Sequence, residues 1–192
     1  MTPPTVLIVP GLRDAIDAHW QTLLAAELPQ VRAVPAMGRA TVDCASRVQA
    51  IEDAAQAIDG PIVIVAHSAG CVMVTHWAAQ TQRPVLGALL ATPPDLTRAL
   101  PPGYPPLDAL QAGGWFPLPR DPLPFPSIVV ASRNDPLASF DEVAAMAADW
   151  GSQLADAGEV GHLNPTSGYG PWPDAKTYIQ QLTQAALVPV RA

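Results

Sequence analysis

The chain has little cysteine, little positive charge and no long apolar run, and each shortage excludes a class. Two cysteines, Cys44 and Cys71, stand in 192 residues. They cannot form a disulfide framework and do not make a C-x-x-C pair, so two reduced thiols in a cytosolic protein are expected. Lys and Arg total 10 against 17 Asp and Glu, a formal net charge of -7. Nucleic acids and anionic membranes both reward clustered Lys and Arg, so neither is an expected partner. No apolar stretch approaches the roughly 20 residues of a membrane-spanning helix. The first residues, M-T-P-P-T-V-L-I-V-P, lack the basic region and long apolar run of a secretory signal. A soluble cytoplasmic protein is expected from these missing signals. Phosphate-binding glycine motifs, H-E-x-x-H and Cys/His clusters are missing too, so no cofactor and no metal are expected.

What is present is a hydrophobic fraction of 49% in a chain long enough for one domain, 1–192, with a sizeable core. The most informative stretch is P-I-V-I-V-A-H-S-A-G at 61–70. A run of strand formers, Ile62–Val65, stops at Ala66, and a helix-like run begins after Ser68. Strand, sharp turn bearing a serine, then helix is the form of a nucleophile elbow. Small residues are wanted two before and two after the serine, because strand and helix backbones approach closely there. Those positions are Ala66 and Gly70, giving A-x-S-x-G.

Strand-like and helix-like segments alternate along the chain. Val6–Val9, Val31–Val34, Ile62–Val65, Gly87–Ala91, Ser127–Ala131 and Gln153–Asp156 read as strands. Trp20, Leu23, Leu24, Glu27 and Leu28 share helical spacing, with Asp14 or Asp17 as the cap. Val48, Ile51, Ala55 and Ile58 make a second stripe, entered near Asp43 and closed by Gly60. Ser139-Phe140-Asp141-Glu142 matches a capping box opening a helix to about Trp150. Pro173 starts a last helix with the stripe Ala175, Ile179, Leu182 and Ala186. Residues 92–126, rich in Pro and Gly, show neither period and read as a long surface excursion, a reduced cap at most. Repeated β-α order with uninterrupted apolar strands predicts an α/β fold: a mostly parallel sheet of about six strands, helices on both faces.

In such sheets, sites collect at the carboxyl ends of the strands. A serine needs a nearby base. His67 is adjacent to Ser68 and cannot readily turn onto it. His76 lies two turns into the helix, and His19 precedes the serine. His162 follows the last strand in a loop able to reach back, and satisfies the order Ser…Asp/Glu…His. For the third member, Asp135 follows one strand and Asp95 the strand before it, and spacing leaves both open. Backbone N–H donors for an oxyanion are expected at Ala69, after the serine, and in the loop after the first strand, most simply at Leu12. Trp20, Trp77 and Trp150 fall on predicted helices and read as core, and Cys71 as small core packing. Trp115 and Trp172 fall in loops and are candidates to line a pocket.

With these residues in place, the chain resembles the small serine hydrolases grouped with retinoblastoma-binding protein 9 and its bacterial relatives. The resemblance is carried by V-P-G at 9–11 with His19-Trp20, by A-H-S-A-G at 66–70, S-R-N-D-P at 132–136 and G-H-L-N-P-T-S-G-Y-G-P-W-P at 161–173. It implies a single α/β-hydrolase domain with a minimal cap, and a triad of Ser68 as nucleophile, Asp135 as acid and His162 as base. Hydrolysis of small esters or amides through an acyl-enzyme follows from it. The L-x-C-x-E motif is absent, so no retinoblastoma partner is carried over. The same fold as a slow or inactive binding scaffold, or as an acyltransferase, stays open at this point.

Overall fold

The computed structural model describes residues 3–13, 16–38 and 42–185. Six strands form one all-parallel sheet: β1 (Thr5–Val9), β2 (Val31–Ala33), β3 (Ile62–His67), β4 (Gly87–Ala91), β5 (Ser127–Ala131) and β6 (Gln153–Asp156). Their spatial order is β2-β1-β3-β4-β5-β6. The chain therefore reverses direction across the sheet between β1 and β3, and the crevice beyond their carboxyl ends is where ligands bind in open α/β sheets.

Strand side chains alternate between two cores, as a period of two requires. Leu7, Val9, Ile62, Ile64, Ala66, Leu90 and Val129 face one core, shared with helices α2 (Cys44–Gln56), α3 (Ala69–Ala78) and α5 (Phe140–Asp149). Val6, Ile8, Val63, Val65, Leu89 and Val130 face the other, shared with α1 (Trp20–Glu27) and α6 (Asp174–Ala185). β3, β4 and β5 are buried along their whole length. That burial on both faces is why their sequences show no polar alternation.

The local signals acted as their chemistry requires at α2, where the Asp43 carboxylate accepts from Ser46 N–H, and at α5, where Ser139 accepts from Glu142 N–H. Elsewhere the structure corrects the reading. β3 continues through Ala66 to His67, because both residues still pair with β4. Asp17 does not cap α1: His19 Nδ1 accepts from Gln21 N–H instead. Asp14, the other cap candidate, lies outside the described residues, as does Ala186 of the last stripe. α2 ends at Gln56 rather than at Gly60. Pro173 sits one residue before α6. Glu27, out of character in its stripe, forms an ion pair with Lys176 that ties the rims of α1 and α6.

Residues 92–126 are not a surface excursion. They contain α4 (Leu107–Ala112), and Leu96, Leu110 and Trp115 are fully buried. The Trp115 indole donates to Val42 O at 2.6 Å, and Cys44 N–H donates to Gly113 O. Farther on, the Trp150 indole donates to Pro119 O. The segment thus closes one core and is pinned to the starts of α2 and the end of α5. Among the described residues no helix is long and apolar enough to cross a membrane.

Candidate active site

The turn between β3 and α3 holds Ser68 at φ 57° and ψ −134°, a backbone region that non-glycine residues seldom occupy and that costs on the order of 1–3 kcal/mol. Two contacts offset this. Ser68 N–H donates to Ala91 O at the end of β4, and Gly70 lets the end of β1 approach α3 closely. A Cβ on Gly70 would stand 2.7 Å from the carbonyl oxygens of both Val9 and Pro10. Ser68 occupies the N-cap position of α3, yet its hydroxyl caps nothing. It points instead at His162, with Oγ 2.8 Å from Nε2.

His162 lies in the loop after β6, and its Nδ1 is 2.8 Å from Asp135 Oδ2. A carboxylate can only accept, so Nδ1 carries the hydrogen, Nε2 is left as an acceptor, and the Ser68 hydroxyl donates. Both side chains are nearly out of solvent, at 4% for His162 and 2% for Asp135. Asp135 Oδ1 accepts from Leu137 N–H, which fixes the carboxylate's orientation. Asp95, the competing acid, is occupied elsewhere: it accepts from Thr97 and pairs with Arg98. The structure therefore brings Ser68, His162 and Asp135 together in one line and leaves Asp95 out.

Gly11 and Leu12 follow β1 directly against this line. The Cβ position of Gly11 is 3.0 Å from Ser68 Cβ, so a side chain there would press on the serine. Leu12 and Ala69 both line the cavity above Ser68. Ala69 opens α3, where the first N–H groups have no intrahelical acceptor and face outward with the positive end of the helix dipole.

Several residues that sequence reasoning passed over hold the arrangement in place. His67, set aside as a base, has Nε2 at 2.9 Å from the backbone oxygen of His162. A carbonyl accepts, so His67 carries its hydrogen on Nε2 and ties the elbow to the His162 loop. Burial, with the nearby charge of His162, holds the pKa of His67 well below its usual value. His19 packs on His67 with ring centres 4.7 Å apart. Burial and His162 lower its pKa from 6.5 to about 4. The buried Gln21 amide donates to Val9 O and Val65 O, bridging β1 and β3 beneath the site. Asn134 Oδ1 accepts from Gly161 N–H, and Ser167 Oγ accepts from His162 N–H. Only the polar character of these side chains beside the motifs signalled them, because every contact but that of Ser167 with His162 spans chain segments far apart.

The cavity has about 160 Å³ of free volume. Its apolar wall comes largely from the 92–126 segment, through Pro94, Leu96, Leu100 and Tyr104, with Leu137 opposite. Trp115 and Trp172 do not line it. Trp115 is core, and Trp172 packs edge-on against Trp20 at 4.7 Å. The reading of Trp20, Trp77 and Trp150 as core holds, since all three are buried. Cys71 is buried, and its thiol is bonded to Ala91 O. Burial pushes it well above the ordinary thiol range. Burial and the neighbouring Asp43 charge push Cys44 up to about 11. Neither is a nucleophile at neutral pH.

A family model described as serine hydrolase matches residues 6–181. Among solved structures, a YdeN-like hydrolase from Pectobacterium atrosepticum is 29% identical, with 96% of this chain and 92% of that one covered and a TM-score of 0.82. The ydeN gene product of B. subtilis is 16% identical over 95% of this chain and 100% of that one, with a TM-score of 0.74. A thermophilic esterase from Thermogutta terrifontis is 16% identical over 97% and 92%, with a TM-score of 0.65. At these identities the last two show the shared α/β-hydrolase fold alone. No curated protein matches the chain.

Proposed function

The chain belongs to the serine hydrolase family, and from that premise we propose that it cleaves small esters or amides through an acyl-enzyme on Ser68. The observation that carries this reading is the line Ser68 Oγ–His162 Nε2 and His162 Nδ1–Asp135 Oδ2, each 2.8 Å. His162 takes the hydroxyl proton as Ser68 Oγ attacks the substrate carbonyl carbon. Asp135 holds the imidazole in the accepting tautomer and stabilises the imidazolium. The N–H groups of Leu12 and Ala69 receive the developing oxyanion. Collapse of the tetrahedral intermediate passes the proton from His162 to the leaving group. Water, deprotonated by His162, then attacks the acyl-enzyme, and the acid product leaves with Ser68 reprotonated.

The reaction is proposed to take place in the cytoplasm, with support from two buried, free thiols. Replacing Ser68 by Ala is expected to lower kcat on an activated ester by about 10⁴–10⁶-fold with folding intact, and a fluorophosphonate should label Ser68 in the wild type alone. Unchanged turnover in Ser68→Ala would refute the proposal. Failure of the wild type to take the label would favour a binding scaffold on the same fold.

A further inference from the structure

The loop that follows β1 carries a charge that the reaction itself does not use. Arg13, next to Leu12, lines the cavity and is exposed. Its Nη2 donates to Gly103 O at 2.8 Å, and its guanidinium lies 4.2 Å above the Tyr104 ring. Ring and carbonyl hold the planar fork in one orientation and leave other donors of the group unspent.

Three other arginines are paired with acids: Arg98 with Asp95, Arg120 with Glu142 and Asp149, and Arg133 with Asp156. In an acidic chain that is the ordinary outcome. Arg13 instead has a carbonyl and a ring as partners, and no Asp or Glu stands among the described residues lining the cavity. His19 and His67 do line it, but both are held neutral at pH 7 by burial. Among the described residues that line it, the cavity thus has an apolar wall, the Ser68–His162 pair at its base and one preoriented cation, Arg13.

We propose that Arg13 is a specificity-determining residue that binds an anionic group of the substrate, so that the preferred substrates are esters or amides bearing a carboxylate or a similar anion near the scissile carbonyl. Tyr104 contributes as the platform on which the guanidinium rests. Burial raises the Tyr104 pKa; the Arg13 charge opposes the rise and Asp135's charge adds to it, so the phenol is neutral beside the anion at pH 7. This assignment rests on the hydrolase reading above, and its test separates the two.

Two matched ester pairs locate the anion on either side of the scissile bond: mono(para-nitrophenyl) glutarate against para-nitrophenyl pentanoate, and para-acetoxybenzoate against phenyl acetate. The kcat/KM ratio, anionic over neutral, is measured for the wild type and for Arg13→Gln. In parallel, calorimetry measures binding of glutarate monomethyl ester to Ser68→Ala with and without Arg13→Gln. The ratio in at least one pair should fall by about five- to tenfold, the range for a charge-assisted hydrogen bond at a partly solvated site, and the affinity should fall by a similar factor. If both esters of a pair are turned over but neither ratio moves by as much as twofold, the Arg13 assignment is overturned while the hydrolase stands. If the wild type cleaves no ester, the hydrolase reading fails, and the calorimetry alone decides Arg13: affinity unchanged by Arg13→Gln overturns the assignment.

Discussion

His19 makes the acid sensitivity of this fold measurable one residue at a time. It is 6% exposed, and burial first, then the His162 charge, lower its pKa from 6.5 to about 4. The folded state therefore resists a proton that the unfolded chain accepts. His19's contribution is complete above the unfolded value of 6.5 and is lost as pH falls from there towards the folded value of about 4. At about 1.4 kcal/mol for each pH unit between the two values, the full loss is about 3 kcal/mol, of which about 2 kcal/mol falls between pH 7 and pH 5. His19→Asn removes the titration and keeps a side-chain acceptor for Gln21 N–H, since Asn is among the best N-caps. Loss of the ring leaves a void whose cost does not change with pH. Urea unfolding of wild type and variant at pH 7 and pH 5 should then show about 2 kcal/mol less acid destabilisation in the variant. In a chain of this size that is about 4–8 °C in the thermal midpoint. Residual acid sensitivity should remain, because His67 is held neutral in the same sense. Identical pH dependence in the two proteins would refute the argument.

Two further substitutions test the site and its support. In Asp135→Asn, the amide can present an N–H to His162 Nδ1, which forces the hydrogen onto Nε2 and removes the acceptor that Ser68 needs. kcat on an activated ester should drop by about 10⁴-fold, with a thermal midpoint close to wild type. In Gly70→Ala, the new methyl would stand 2.7 Å from two backbone oxygens of the Val9–Pro10 segment. The expected cost is about 1–3 kcal/mol, read as a lowered midpoint. kcat should fall as well, because the displaced backbone leads straight into Gly11 and Leu12. A midpoint equal to wild type would show that the close approach is unimportant.

Where a contact is local, the sequence carried it. β4 and β5 have the bounds that their apolar runs suggest, β6 has the bounds read for it, and Ser139 caps α5 through a residue three positions away. The contact between Ser68 and His162 was legible because the elbow is a local shape and the expected order Ser…Asp/Glu…His points past the last strand. Asp135 against Asp95 was not decided by spacing, since both follow strands; what separates them is that Thr97 and Arg98 occupy Asp95. His19 as a cap was hidden because imidazole is an uncommon capping group and two aspartates stand nearby. α4 was hidden by its length: six residues between prolines and glycines leave no room for a period. Trp115 and Trp172 looked available because a loop position gives no hint of distant packing, and their partners, Val42 and Trp20, lie far away in sequence.

The wall of the cavity and part of the core are the same piece of chain. Leu96, Leu100 and Tyr104 line the cavity, while Leu110 and Trp115, a few residues later, are fully buried, and Trp115 is bonded to Val42 just before α2. A homologue's loop exchanged for the whole of 92–126 would therefore remove interior packing together with the wall. Point changes at wall positions are therefore expected to retune substrate preference with the fold intact, whereas replacing the whole loop should lower the thermal midpoint. A laboratory library aimed at new substrates has the same limit: diversity belongs at Leu100 and Tyr104, while the fully buried Leu96 and residues 107–126 must be left alone.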